Sequence, residues 1–102
     1  MNPPLNEITV RESLKTVIDP ELGYNIVDLG LVYDITVQGS HIAVMMTMTT
    51  PGCPAAGFIE SGVHRCLENL LGVQSLEVQV VWNPPWGPEM MSPDAKAFFG
   101  FA

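Results

Sequence analysis

The chain has 102 residues, of which 47% are hydrophobic and 15% are charged, and its formal net charge at pH 7 is −7. This length and composition predict a single globular domain over residues 1–102 with a modest core. Only four basic residues oppose eleven acidic ones, which argues against nucleic acid or an anionic membrane as a partner. The chain has no secretion signal or bilayer-length apolar run, so we expect it in the cytoplasm.

The first predicted element is an amphipathic helix from Asn6 to Ile18. Two starts compete: Asn6 can cap the helix, with Leu5 and Val10 as a hydrophobic staple, or Thr9 can form a capping box one turn later. We favour Asn6 because it leaves a helix long enough to pack. Apolar side chains at helical spacing form one stripe, made of Val10, Leu14, Val17 and Ile18.

A loop with two carboxylates follows this helix. Pro20 restricts Asp19 to extended geometry, so residues 19–25 are predicted to turn the chain with Asp19 and Glu21 close together. Asp28 lies next along the chain, between apolar neighbours. Its simplest role is structural, with the carboxylate accepting backbone amides in the turn before Gly30.

Alternating apolar and polar residues then predict a β-hairpin. The first strand runs from Leu31 to Gln38, Gly39-Ser40 forms a two-residue turn, and the return strand runs from His41 to Thr49. His41 is expected at the solvated edge. The core faces are predicted to be Leu31, Tyr33, Ile35 and Val37 on the first strand, and Ile42, Val44, Met46 and Met48 on the second.

The run Thr47-Met-Thr-Thr-Pro-Gly-Cys-Pro-Ala55 marks a change from strand to helix. Pro54 suits the first helical position, which places Cys53 at the N-cap, where unpaired amides and the positive helix end favour a thiolate. The alternative is that Pro-Gly-Cys-Pro is only a turn with a small capping residue. Both interpretations remain open on the local sequence.

The second helix is predicted from Pro54 to Leu71, ending at Gly72. Cys66 is expected in its core face, whereas His64 is expected to face water. That apolar face comprises Ile59, Val63, Cys66, Leu67 and Leu70. A helix between Cys53 and Cys66 would separate them by about 20 Å at ~1.5 Å per residue, too far for a disulfide. Two cysteines also cannot complete a closed zinc or four-thiolate cluster site in one chain.

A third strand is predicted from Ser75 to Trp82, and a stiff tail follows it. Three prolines, Trp82 and Trp86 give this tail an apolar, irregular character. It either covers the sheet edge or offers a site for a partner. Ser92 is a suitable N-cap for a last short helix containing Ala95 to Phe99, whose phenylalanines can fold back onto the core.

The predicted fold class is α+β, a two-layer α/β sandwich in the order α-β-β-α-β with an irregular tail. Two helices lie on one face of a small mixed sheet with a central hairpin. Because hairpin strands are antiparallel, the start of the first strand lies beside the end of the second. The carboxylates of Asp19 and Glu21 are therefore expected at the same edge as Cys53.

Four motifs in order carry a family resemblance over nearly the whole chain: residues 17–23, 26–33, 49–54 and 82–92. Together they resemble the SufT/PaaD family, the MIP-type domain of iron-sulfur cluster assembly. The resemblance implies a domain that helps mature iron-sulfur proteins, with Cys53 as its main functional residue. The surrounding site positions that it implies are Asp19, Glu21, Leu22, Thr49 and Thr50. The PaaD branch carries further cysteines in a C-terminal extension that this sequence lacks, which favours general cluster assembly over an oxygenase role.

This combination predicts a transient carrier of iron or an iron-sulfur cluster, acting through Cys53, with no stably bound cofactor. One thiolate holds a cluster weakly, and hard carboxylates from Asp19, Glu21 or Asp28 would leave it exchangeable. The expected partners are apo iron-sulfur proteins and other assembly factors, and a homodimer would supply two thiolates. The alternatives are an adaptor that binds a client through the loop of Trp82 and Trp86, a cysteine-dependent enzyme, or an oxygenase-associated PaaD-like subunit.

Overall fold

The computed structural model describes residues 5–49, 52, 55–70 and 72–101. Its helices and strands are α1 (Glu7–Leu14), β1 (Ile18–Asp19), β2 (Tyr24–Asn25), β3 (Val32–Gln38), β4 (His41–Met46), α2 (Ala56–Glu68), β5 (Ser75–Val80), a 3₁₀ helix (Pro88–Met90) and α3 (Pro93–Phe99). In the residues described, no helix combines the length and the apolar character needed to cross a bilayer.

A three-stranded sheet in the order β3-β4-β5 forms one layer of the fold. β3 and β4 make the predicted antiparallel hairpin, with Val37 opposite Ile42. β5 pairs with β4 in parallel, so Ile42 also lies beside Leu76. Parallel neighbours need a long crossover, which α2 provides. The sheet is therefore mixed, and the predicted α+β sandwich is confirmed.

Both long helices cover the same face of this sheet. α1 packs against β3 and α2, and α2 packs against β5. Burying these apolar side chains supplies the main driving force for folding. The shared core includes Val10 and Leu14 of α1, Ile35, Ile42, Val44 and Met46 of the sheet, and Ile59, Val63 and Leu67 of α2. The opposite face is polar and exposed at Asp34, Thr36, Gln38, Glu77 and Gln79.

The predicted core face of β3 is wrong at Tyr33. The register with β4 shifts between Val32 and Asp34, so the strict alternation of faces is interrupted at Tyr33. Val32 is buried instead, and Tyr33 is only half-buried. Its hydroxyl donates to the Pro84 carbonyl at 2.7 Å. The irregular step therefore aims this aromatic side chain at the tail.

The first helix starts where we preferred but ends earlier than predicted. Asn6 is the N-cap, and it forms a capping box with Thr9. The alternative start at Thr9 is therefore wrong. The helix ends at Leu14, because the next turn tightens into i→i−3 bonds such as Val17 N to the Leu14 carbonyl, 3.0 Å. Ile18 leaves the predicted apolar stripe and is 44% exposed in β1.

The predicted second helix is too long at both ends. It begins at Ala56, after Ala55 as N-cap, and it ends at Glu68. The first backbone bond of its ladder reaches the Ala55 carbonyl from Ile59 N at 2.9 Å. The predicted glycine end is displaced as well, since Gly72 adopts a left-handed φ of +91° beyond the helix. β4 and β5 also end earlier than predicted, at Met46 and Val80.

The tail crosses from the end of β5 to the start of β3. Trp86 Nε1 donates to the Leu29 carbonyl at 2.7 Å, and Ser92 N donates to the Asp28 carbonyl at 2.8 Å. Ser92 also caps α3, as predicted, by accepting from Ala95 N. Of the terminal phenylalanines, Phe99 packs on the core, whereas Phe98 is 66% exposed and stacks beside Tyr24.

Candidate functional site

The carboxylate of Asp19 organises a tight turn at one end of the sheet. Asp19 is only 1% exposed, and its Oδ1 accepts from Glu21 N at 2.8 Å and from Leu22 N at 3.3 Å. The Asp19 carbonyl accepts from Gly23 N at 2.7 Å. A carboxylate that accepts backbone amides fixes the turn that contains it.

The predicted loop is thus more regular than the sequence indicated. Asp19 pairs with Tyr24 in the β1-β2 ladder, and Gly23 supplies the left-handed φ of +70° that returns the chain. Leu22 is half-buried against the core, whereas Glu21 is exposed. The turn therefore presents the side chain of Glu21 to the outside, while the buried carboxylate of Asp19 fixes the backbone of the turn.

Backbone hydrogen bonds join this turn to the end of β4. Ile26 N donates to Val17 O at 3.0 Å, Leu31 N donates to Ile26 O at 3.0 Å, and Thr47 N donates to Leu31 O at 2.8 Å. Val17 and Thr47 are thus linked through Ile26 and Leu31 by three successive backbone hydrogen bonds. Asp19 follows Val17 by two residues. The sequence places Cys53 six residues after Thr47.

The segment between β4 and α2 carries the other predicted site residues. Thr49 is half-buried, and Gly52 turns the chain with a φ of +73°. Thr50, Pro51, Cys53 and Pro54 lie outside the described residues. The predicted helix cap is wrong, because the N-cap is Ala55, which offers no side-chain hydrogen bond. Pro54 therefore precedes the cap, and the preference of proline for the first helical position does not set this boundary.

Asp28 has a structural partner that the sequence did not indicate. Its Oδ2 accepts from Asn25 Nδ2 at 2.7 Å, and its backbone N donates to Asn25 Oδ1 at 2.8 Å. The predicted acceptance of backbone amides by this carboxylate is thus replaced by a reciprocal pair with a side-chain amide. The pair fixes the turn onto which Ser92 and the tail dock.

Cys66 lies away from this edge, in α2. Its thiol is half-buried rather than fully buried, and Sγ donates to the Ser13 carbonyl at 3.1 Å. An open groove of about 440 Å³ runs beside it, lined by residues that include Thr16, Ile18, Phe58 and Arg65. Val17 contacts Gly62 closely enough that a Cβ there would lie 3.2 Å from its methyl group, so the groove stays shallow at that point.

Both histidines lie away from the end of β4 and the start of α2, which flank the segment that carries Cys53. His41 opens β4, a full strand or about 17 Å from its other end, and its Nδ1 lies 2.6 Å from Ser75 Oγ. His41 is therefore half-buried and bridges two strands, at a contact that remains open to solvent. His64 is eight residues into α2, about 12 Å along its axis. Among the side chains the structure describes, no three His, Cys, Asp or Glu groups converge as metal ligands.

Thr47 is the residue that the sequence reasoning missed. It is 0% exposed, and in the described ranges Asp19 is the only other buried polar or charged residue. Its Oγ1 meets no hydrogen-bond partner in those ranges. Strand alternation placed Thr47 on the side opposite Met46 and Met48, where exposure was expected. The only indication in the sequence was that Thr47 lies two residues before Thr49, so that an extended chain would place both threonines on the same face.

Comparisons with known proteins identify relatives over most of this chain. A model of the family described as "Iron-sulfur cluster assembly protein" matches residues 7–80. The Fe-S protein maturation auxiliary factor YitW of Bacillus subtilis is 45% identical over 89 residues, covering 86% of this chain and 87% of the relative. The Fe-S protein maturation auxiliary factor SufT of Staphylococcus aureus is also 45% identical, over 85 residues, covering 82% and 97% respectively.

A solved structure shares the fold. The crystal structure of a domain of unknown function, DUF59, from Bacillus anthracis superposes with a TM-score of 0.88 at 49% identity, covering 94% of this chain and 92% of that one. The predicted SufT-like resemblance is confirmed by the match over residues 7–80 and by the two maturation factors. The chain belongs to the iron-sulfur cluster assembly protein family.

Proposed function

We propose that this protein is an auxiliary factor that receives or delivers iron or an iron-sulfur cluster transiently during the maturation of other proteins. One observation carries the proposal in a chain of this family. A series of backbone hydrogen bonds from Val17 to Thr47 joins the Asp19 turn to the segment that leads to Cys53. Cys53 is the proposed cargo ligand, and the neighbouring site positions are Asp19, Glu21, Leu22, Asp28, Thr49 and Thr50.

The available donors suit exchange better than storage. One thiolate is too few to retain a cluster, and oxygen donors are a poor match for it. The carboxylates of Asp19 and Asp28 already accept hydrogen bonds within the protein, at 2.8 Å and 2.7 Å, so we assign them to shaping the site. Glu21 is exposed and is the acidic side chain that we propose faces the cargo or the partner. Cargo held this weakly is readily passed on.

An enzymatic role is less well supported by the same geometry. A cysteine nucleophile needs a base within hydrogen-bond reach. His41 lies at the opposite end of β4 and is engaged with Ser75, and His64 lies two turns into α2. We therefore propose a non-enzymatic factor, whose partners are apo iron-sulfur proteins and other components of the assembly machinery.

The test is anaerobic reconstitution of the wild-type protein, Cys53→Ser and Cys66→Ser, followed by mixing with an apo iron-sulfur enzyme. We expect the wild-type protein to activate that enzyme and to lose its cluster to a chelator. Cys66→Ser should behave in the same way, because the Cys66 thiol is hydrogen-bonded to the Ser13 carbonyl. We expect Cys53→Ser to fail. A cluster that survives the chelator, or equal transfer by Cys53→Ser, would contradict the proposal.

A second candidate function rests on the exposure of Trp82. This side chain is 45% exposed, whereas Trp86 is anchored to the Leu29 carbonyl. An adaptor could bind a client through Trp82, because exposed tryptophan is common at the centres of interfaces. In this loop Trp82 would then contact the client, and Trp86 would attach the loop to the rest of the domain.

Single substitutions separate the two tryptophans. Trp82→Ala should leave the urea midpoint unchanged and weaken client binding if the protein is an adaptor. Trp86→Ala should lower the midpoint, because it removes a half-buried ring that packs on the core and leaves the Leu29 carbonyl without its donor. Unchanged client binding and unchanged mass by light scattering for Trp82→Ala would remove both the adaptor role and a homodimer built on this residue.

A further inference from the structure

The outer edge of β5 carries backbone groups that no other strand uses in the described part of the chain. β5 is the last strand in the order β3-β4-β5, and it pairs on one side only, with β4. Ser75 N donates to the Ser40 carbonyl at 3.3 Å, and Val81 N donates to the Met46 carbonyl at 2.8 Å. Backbone groups point alternately to the two sides of a strand. Those that point away from β4 therefore belong to Leu76, Val78 and Val80.

The sequence of β5 does little to protect this edge against pairing. Edge strands are commonly blunted by lysine, proline or a β-bulge. β5 has the sequence Ser-Leu-Glu-Val-Gln-Val, and its register with β4 is regular from one end to the other. The edge can therefore accept an extended segment of another chain, which would continue the sheet by strand addition.

A groove on the helix side of β5 offers room for the side chains of such a segment. It has a volume of about 350 Å³, and it lies between the second half of α2 and the start of β5. Its lining residues include Glu68 and His64 of α2, together with Val73 and Leu76. Successive residues of an added strand point to opposite faces of the sheet, so every second side chain would lie on this side.

The surroundings of the edge are acidic on both faces of the sheet. Glu68 ends α2 on the groove side, and Glu77 lies on the face of β5 opposite Leu76; both glutamates are exposed. Neither forms an ion pair within the described residues. β5 and the described lining of the groove contain no lysine or arginine. Because opposite charges stabilise neighbouring strands and like charges destabilise them, a basic segment is favoured here.

A second copy of this chain is a poor occupant of the same edge. Each copy has a formal net charge of −7, and a symmetric pair would bring two Glu77 side chains to one interface. Self-repulsion of this kind opposes association. The charge therefore favours a segment of a different protein.

We propose that the outer edge of β5 and the adjoining groove bind an extended, basic segment of a partner protein by strand addition. The outward backbone groups of β5 pair with the segment, and its lysine or arginine side chains lie beside Glu68 and Glu77. This interaction uses neither Cys53 nor the loop of Trp82 and Trp86. The inference therefore goes beyond the proposed function and does not depend on it.

The first experiment uses an end-blocked six-residue peptide of alternating lysine and valine, as long as β5. In NMR titrations at low salt we expect it to shift the amide signals of Leu76, Val78 and Val80. It should also slow their hydrogen exchange about tenfold, because these amides meet no partner in the ranges described. A glutamate-valine peptide reverses the charge, and an N-methylated lysine-valine peptide cannot donate backbone hydrogen bonds. Each of these controls should bind about tenfold more weakly.

The second experiment changes the charge beside the groove. Glu68→Lys should fold, because a cation at the end of α2 suits the helix dipole. It should bind the lysine-valine peptide about fivefold more weakly than the wild-type protein. Asp34→Lys is the matched control, since it makes the same change of charge at an exposed position on β3, at the opposite edge of the sheet. It should change the affinity by less than about twofold.

Three results would overturn the inference: equal binding of the three peptides, equal losses for the two variants, or amide shifts confined to residues outside β5 and the groove. Light scattering that shows a dimer, with the outward amides of β5 protected before any peptide is added, would overturn it in favour of self-pairing. Cys53→Ser should bind the peptide as the wild-type protein does. A failure of the carrier test and a failure of the docking test therefore remain distinguishable.

Discussion

At the scale of single residues, Asp19 does more than contribute charge. The sequence showed two carboxylates in a loop, and both Asp19 and Glu21 could be read as cargo ligands. The structure separates them, because Asp19 is buried and accepts two backbone amides whereas Glu21 is exposed. In this structure Asp19 therefore serves the geometry of the turn, and Glu21 is left as the outward-facing carboxylate.

Replacing Asp19 tests this division. Asp19→Ala should lower the free energy of unfolding by about 2 kcal/mol, because the amides of Glu21 and Leu22 lose their buried acceptor. Asp19→Asn should cost less, since its amide oxygen can still accept. Urea denaturation measures both. Asp34→Ala, at an exposed position on β3, should change stability by less than about 0.5 kcal/mol. Equal values for the Asp19 and Asp34 variants would contradict the structural role.

At the scale of helices and strands, local signals predicted most elements and tertiary contacts decided their ends. The Asn6 cap and the Ser92 cap depend on side chains within three residues of each helix start. They were therefore readable from sequence. The early end of α1 and the β1-β2 ladder depend on Val17 and Ile26 meeting across eight intervening residues, which no local rule describes.

The site shows the same division. Hairpin geometry predicted correctly that the start of β3 lies beside the end of β4, whereas the shared edge of the Asp19 turn and Cys53 stays a prediction. The helix start could not be predicted, since proline at the first helical position is only a preference. The misjudged face of Tyr33 has a similar cause: one extra residue in β3 interrupts the alternation, and its purpose is visible only through the contact with Pro84.

Asn6 offers a direct test at this scale. Asn6→Ala should destabilise the protein by about 1 kcal/mol, because the amide of Thr9 loses its capping oxygen. Asn6→Ser should be within a few tenths of a kcal/mol of wild type, since serine caps equally well. Thermal or urea unfolding with circular dichroism checks both. A loss as large for serine as for alanine would mean that the cap itself contributes little.

At the scale of the whole molecule, the tail is held against residues 28–33 by several independent contacts. The carbonyls of Asp28 and Leu29 accept from Ser92 and Trp86, and Gly30 lies against the backbone of Met90. These contacts cover the turn before β3, which contains the Leu31–Ile26 bond in the series that runs from Val17 to Thr47. The tail therefore packs on the segment that connects the Asp19 turn to β3.

Gly30 is a point of very close approach between this turn and the tail. A Cβ on Gly30 would lie 2.3 Å from the Met90 carbonyl oxygen, and its φ is +82°. Gly30→Ala should therefore destabilise the protein by about 3 kcal/mol or more, combining backbone strain with a clash. Gly39→Ala is the matched control, because φ is +59° there with nothing within 4 Å. It should cost about 1 kcal/mol. Equal losses would show that the close approach of the tail is unimportant.

The contacts of the tail also set an order of events during synthesis. Trp86 and Leu29 are 57 positions apart, and Tyr33 and Pro84 are 51 apart. A chain emerging from its N-terminus presents the Asp19 turn and the β3-β4 hairpin long before the tail exists. Until then the carbonyl of Leu29 is left to water and other proteins. Because these contacts join positions more than fifty residues apart, the cover over the turn before β3 can form only after the tail itself has been made, and it is among the last parts of the domain to be completed.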